Sequence, residues 1–336
     1  MATKSTIHYK TDKLYTLKKA LDPAKMREVF EPMAKEHFGE KAEVRDVNIE
    51  VLRKRNQRCV IRYRVVASTN GNGAIVNWPV IGKVYKINQG EEVFEFMKEL
   101  WTRGFQQNAS DKISIPEPYA FSTPMSMLFQ EEVPGKPVKQ LLKENLNPVY
   151  MRQLARTLAK LHSCGYVPGP AMTLDDHLLR CHPRYPFLFL ACPELAPQIE
   201  QLLADFQTLE KRWANVPLAP IHGDLHMGQL HLQDESAYLI DFDALSYGDP
   251  AADIGNLVVF LKGKLKREPR MAVVIDALYD EYFKTMDTEI RDRVPYYEAI
   301  THLRRACKLL RYQKEGWRKR IAKMIQQAED CIREIK

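Results

Sequence analysis

The stretch Ile221-His222-Gly223-Asp224-Leu225-His226-Met227-Gly228-Gln229, followed by Leu239-Ile240-Asp241-Phe242-Asp243, constrains this chain more than any other feature. Between the two, residues 229–232 and 237–240 alternate apolar and polar side chains on either side of Asp234-Glu235-Ser236, the pattern of a β-hairpin. Gln229 opens the first strand and Asp241 closes the second, so the hairpin brings a carboxamide and a carboxylate to one end, beside the Asp224 loop. Oxygen ligands converging on one point suit Mg2+, which takes one or two carboxylates and leaves other positions to water and phosphate oxygens. Asp224, just outside that pair, is placed to orient or deprotonate a hydroxyl. His222, His226 and His231 offer a zinc cluster as the alternative. Gly223 and Gly228 favour a loop over the helix that would align the first two.

The rest of the chain reads as two domains. Asp22-Pro23 predicts a helix start, an N-cap followed by proline, and the amphipathic run continues to about Phe38 before Gly39. Strands are expected over 43–52, 59–67 and 75–87, joined by the turns Arg53–Arg58 and Asn70-Gly71-Asn72-Gly73. A helix from Glu91 to about Phe105 and a strand near 126–132 follow, and Val133-Pro134-Gly135 then breaks the chain. The N-terminal domain is accordingly 1–132, with 1–42 as a helical extension. The C-terminal domain is 133–336, with helices over 147–164, 193–214, 250–265 and 270–285 and two more from about Arg293 onward. The class is α+β, a small antiparallel sheet joined to a larger helical part.

The His-Gly-Asp loop, Gln229, Ile240-Asp241-Phe242, Gly248-Asp249-Pro250 and Asp253 together resemble the aminoglycoside phosphotransferase and choline kinase-like branch of the protein-kinase-like fold. The resemblance spans roughly residues 45–260 and departs from the family at Gln229, where asparagine is commonest. It implies a bilobal kinase transferring the γ-phosphate of ATP or GTP to a hydroxyl of a sugar, amino sugar or related metabolite or antibiotic. Asp224 would orient or deprotonate the acceptor, Gln229 and Asp241, with Asp243, would hold Mg2+, and His222 would support the loop. Asp249 and Asp253 read as structural, an N-cap and a first-turn carboxylate. The cation over the nucleotide phosphates falls to Lys83 in Val80-Ile81-Gly82-Lys83-Val84-Tyr85-Lys86, with Lys86 the less buried choice and Glu95 its expected partner among Glu91, Glu92, Glu95 and Glu99. No Gly-x-Gly-x-x-Gly occurs where a nucleotide loop would lie. Arg53, Arg55 and Arg58 in the first turn would supplement backbone amides there, and Gln130-Glu131-Glu132 would form the hinge that meets a purine. The rival reading is a non-catalytic nucleotide-binding regulator, favoured by Gln229 and the glycine-free turn.

Composition narrows the field further. With 45% hydrophobic residues in 336, the chain can bury a sizeable core, yet no apolar run approaches the ~18 residues of a membrane span. The polar start Met1-Ala2-Thr3-Lys4-Ser5 argues against secretion. Six scattered cysteines without a CxxC pair read as reduced thiols of a cytoplasmic protein. The net charge of +7 sits in one place, because residues 301–336 carry 11 Lys and Arg against 4 Asp and Glu. Without interleaved aromatics or a recognised module, this tail does not read as a nucleic-acid site. Family members use the C-terminal helices to wall the acceptor cleft, so Arg304, Arg305, Lys308 and Arg311 imply a neutral or anionic acceptor. A solvated basic face is the alternative, and oligomeric state is unknown from sequence.

Overall fold

A computed structural model describes residues 14–55, 57–69, 74–265 and 267–335. Met1–Ser5, Asn56 and the turn Asn70-Gly71-Asn72-Gly73 lie outside the described residues. The chain divides into two compact units. The first runs to Ala109 and resumes over Ser114–Val133; the second takes Ser110–Ile113 and everything from Pro134 onward.

The first unit is an antiparallel sheet in the order Glu43–Lys54, Arg58–Ser68, Ile75–Tyr85, Met127–Glu131, Pro118–Ser122. Its last strand was not foreseen, because a half-buried edge segment beginning with proline carries little alternation. The helix Pro23–Phe38 starts where the sequence predicts. The Asp22 carboxylate accepts from the Ala24 and Lys25 N–H groups at 3.0 and 3.2 Å, and Gly39 at φ +101° ends it. The helix buries Phe30 edge-on against Tyr63 and Phe129, with ring centroids 5.1 and 5.4 Å away. Alternation along Arg58–Ser68 puts Cys59, Ile61, Tyr63 and Val65 into that core.

The second unit is mostly helical. Its long helices are Val149–Ser163, Ala196–Arg212, Ala251–Leu265, Met271–Tyr282, Ile290–Tyr312 and Trp317–Arg333. Two short strand pairs interrupt them. Leu230–Gln233 and Ser236–Leu239 form the expected hairpin, and Ala219–Ile221 pairs with Ser246–Gly248. No helix among the described residues is long and apolar enough to cross a membrane, and none of the six cysteines forms a disulfide among them.

Candidate active site

The two strand pairs explain why the chemistry-bearing residues meet. Residues 222–229 run from the Ala219–Ile221 strand into the hairpin, and residues 240–245 run from the hairpin back to Ser246–Gly248. Both loops therefore hang between the same two anchors. The Ile240 N–H donates to the Gln229 carbonyl at 2.9 Å, closing the hairpin end. Asp241 follows in the left-handed region at φ +75°. That conformation is uncommon for a residue with a Cβ and recurs at functional sites.

Asp253 is the clamp of the first loop. Only 1% exposed, it accepts from the His222 N–H at 2.6 Å, the Gly223 N–H at 2.9 Å and His162 Nε2–H at 3.1 Å. On the other side of the ring, His162 Nδ1 lies 2.7 Å from the Tyr282 hydroxyl. Burial alone would raise the Asp253 carboxyl. The hydrogen bond and charge of His162, with those of His222, outweigh it and hold the group below the usual carboxylate range. Thus Asp253, a first-turn residue of Ala251–Leu265, holds the loop rather than merely facing the helix dipole.

His222 ties the loops together, donating from Nε2 to the Ile240 carbonyl at 3.0 Å. Gly223 sits at φ +78°, and a Cβ there would lie 2.2 Å from the Ala244 carbonyl oxygen, so only glycine fits. Asp249 caps Ala251 N–H at 2.9 Å and forms a buried bidentate pair with Arg293, at 2.6 and 3.2 Å. Arg293 was not legible in sequence. Neither was Arg180, which donates to the Gly223 carbonyl at 3.0 Å and to Ser246 Oγ at 3.3 Å, nor Asn256, which donates to the Leu225 carbonyl at 2.7 Å. Burial and then the Arg304 cation push the Arg180 guanidinium down.

Gln229, Asp241 and Asp243 carry only oxygen donors, the chemistry a hard divalent cation takes. Gln229 is buried, and its Oε1 accepts from the His226 N–H at 2.8 Å, which uses one of two lone pairs and leaves one. Among the described residues no group of three His, Cys, Asp or Glu side chains is arranged to hold a metal ion. His226 Nδ1 accepts from the Gly228 N–H at 3.0 Å instead.

Asp224 itself is exposed and lines a cavity of about 770 Å3 together with Asn256, Phe260 and Thr301. The remaining lining is overwhelmingly basic and includes Arg180, Arg304, Arg305, Lys308 and Arg311. The basic C-terminal residues Arg304, Arg305, Lys308 and Arg311 therefore line the cavity that Asp224 enters.

Lys83 is buried at 6% exposure within its strand, whereas Lys86 is partly exposed. The structure does not bring Glu95 into the core of that unit. Val93, Phe96, Met97 and Leu100 form the buried face of Glu91–Thr102, and Glu95 lies off that stripe, paired with Lys98 at 3.2 Å. Arg53 and Arg55 are exposed and Arg58 half-buried in a tight turn, where the Arg55 N–H donates to the Arg58 carbonyl at 2.9 Å. Glu131 accepts from the Glu117 N–H at 3.1 Å, and Glu132 pairs with Arg62 at 2.6 Å.

A sequence profile of the phosphotransferase enzyme family matches residues 63–287. No curated protein sequence matches. Several solved structures share the fold. A choline/ethanolamine kinase family protein from Mesorhizobium loti is 16% identical with a TM-score of 0.54, over 84% of this chain and 87% of its own. A thermostable aminoglycoside phosphotransferase variant in a ternary complex with ADP and hygromycin B is 15% identical with a TM-score of 0.57, over 90% and 98%. An amicoumacin kinase in complex with AMP-PNP and Ca2+ is 16% identical with a TM-score of 0.58, over 84% and 88%. The fold is protein-kinase-like, as the motifs implied.

Proposed function

The chain belongs to the phosphotransferase enzyme family, and on that premise we propose that it moves the γ-phosphoryl group of ATP or GTP onto a hydroxyl of a small molecule. The observation that carries this reading is the placement of Asp224. It is exposed in the cavity on a loop whose preceding backbone N–H groups are both fastened to the buried Asp253. Positioning of this kind is the main contribution a protein makes to phosphoryl transfer.

In the proposed reaction the acceptor oxygen bonds to the γ-phosphorus while the bond to the bridging oxygen breaks. The electron pair leaves on the nucleoside diphosphate, and Asp224 orients the hydroxyl and takes its proton. Gln229, Asp241 and Asp243 would hold Mg2+, which supplies charge neutralisation at the phosphate oxygens. His222, Asp249 and Asp253 keep the two loops in register. In the first unit Lys83 would engage the nucleotide phosphates, supplemented by Arg53, Arg55 and Arg58, and the backbone at Glu131 and Glu132 would meet the purine. Solved relatives that hold ADP beside hygromycin B, or AMP-PNP in an amicoumacin kinase, support a nucleotide donor and a small acceptor. Screening ATP and GTP consumption against a library of hydroxyl compounds tests the reading. Acceptor-dependent formation of diphosphate is the expected result. Nucleotide binding without transfer to any acceptor would favour the regulator instead.

A further inference from the structure

Nine Lys and Arg side chains line the cavity that Asp224 enters, and Asp224 supplies its one carboxylate among the described residues. Arg304, Lys308 and Arg311 come from Ile290–Tyr312, Arg320 and Lys323 from Trp317–Arg333, and Arg180 from the end of Leu174–Leu179. Among the described residues none of the nine makes a salt bridge. Arg305 instead lies over the Phe260 ring at 5.4 Å, and Arg320 donates to the carbonyls of Lys314 and Glu315. Cations gathered in one concavity without counter-ions repel each other and focus a positive potential on whatever enters. A solvated surface has no need of such an arrangement, because side chains there spread apart and are screened.

We propose that the acceptor is a small hydroxyl compound already carrying at least two phosphate groups, held by this basic cavity with one free hydroxyl at Asp224. The inference rests on the kinase reading above and names its substrate class. Four observations support it. None of Gln229, Asp241 and Asp243 lines the cavity among the described residues, so its cations face a molecule other than the metal-bound end of the donor. Six of the nine are arginines, whose planar forks match phosphate oxygens two at a time. Nine positive charges against one negative exceed what a single carboxylate can offset, whereas each phosphate monoester brings about −1.5 to −2 at neutral pH. The volume of about 770 Å3 falls in the range that encloses a molecule of this size. A polycationic aminoglycoside would meet only Asp224.

The test uses the full chain with MgATP at low salt and a panel of one hexose, its monophosphate, its bisphosphate and an aminoglycoside. Expected is a rise in kcat/KM of about tenfold or more with each added phosphate, falling steeply with added salt. Arg304→Ala and Arg311→Ala should each lower kcat/KM for the bisphosphate about ten- to a hundredfold, through KM. Lys319→Ala makes the same charge change outside the cavity and should leave that KM unaltered. Calorimetric titration of the bisphosphate, without nucleotide, should show the same ranking of variants. Transfer to the hexose or aminoglycoside in preference to the phosphorylated sugars would overturn the inference and leave the kinase reading standing. Failure of every acceptor, with nucleotide neither bound nor consumed, would count against the kinase reading itself. Binding of a polymeric polyanion such as heparin, with no transfer to any phosphorylated sugar, would also overturn the inference.

Discussion

Replacing Asp253 by asparagine changes neither volume nor shape, yet it should loosen the active loop. The carboxylate accepts three hydrogen bonds while 1% exposed. An asparagine keeps one acceptor oxygen and presents an NH2 to donors on its other side. One or two of the His222 N–H, the Gly223 N–H and His162 Nε2–H are then unpaired and buried, each at about 1–3 kcal/mol, with loss of the charge assistance besides. A total of about 2–5 kcal/mol follows, and at about 2–4 °C per kcal/mol the melting temperature should fall by roughly 4–20 °C. Displacement of Asp224 by even a fraction of its reach should lower kcat about a hundredfold. The carboxyl is held below the usual range, so its contribution is complete above that range and disappears as pH falls through it. The variant should therefore show a flatter stability profile under acid. Thermal unfolding across pH, followed by steady-state kinetics, measures all three effects. An asparagine variant that melts with the wild type and turns over at its rate would refute the clamp.

The other consequences are more local. Gly223→Ala should cost at least about 1–2 kcal/mol from the positive φ alone, and the Cβ contact at 2.2 Å should abolish activity; a calorimetric scan with an activity assay checks both. Gln229→Ala should raise the Mg2+ concentration for half-maximal activity, whereas Gln229→Asn should be mild; unchanged Mg2+ dependence in the alanine variant would remove Gln229 from the donor set. His177 is buried, and burial pushes its imidazole down to about 3. The unfolded chain takes up that proton near 6.5, so stability should decline as pH falls from about 6.5 toward 3. Denaturant titrations of wild type and His177→Gln should converge at low pH.

What the sequence made legible was local or periodic. The hairpin joining Gln229 to Asp241 could be read because alternation and turn lie within one short stretch, and the Asp22-Pro23 helix start because cap and proline are adjacent. The distant partners of the supporting carboxylates Asp249 and Asp253 were not legible, for the opposite reason. His162, Tyr282 and Arg293 reach Asp253 and Asp249 from distant helices, and a lone histidine, tyrosine or arginine carries no periodic signal. Arg180 touches both loops yet stands in a short helix end that sequence reading passed over. Spacing alone does not separate Glu95 from its three similar neighbours, and the apolar stripe of its helix turns it outward. The destination of the basic C-terminal residues depended on how two helices pack beside the Asp224 loop, which composition alone does not encode.

Asp224 is the residue on which the proposed phosphoryl transfer to a hydroxyl depends. The most direct test compares wild type and Asp224→Asn with γ-labelled nucleotide and the best acceptor from the screen. The wild type should move label to the acceptor, while the variant should bind MgATP with similar affinity and transfer about a hundred- to ten-thousandfold more slowly. Transfer at the wild-type rate by the asparagine variant would contradict the account.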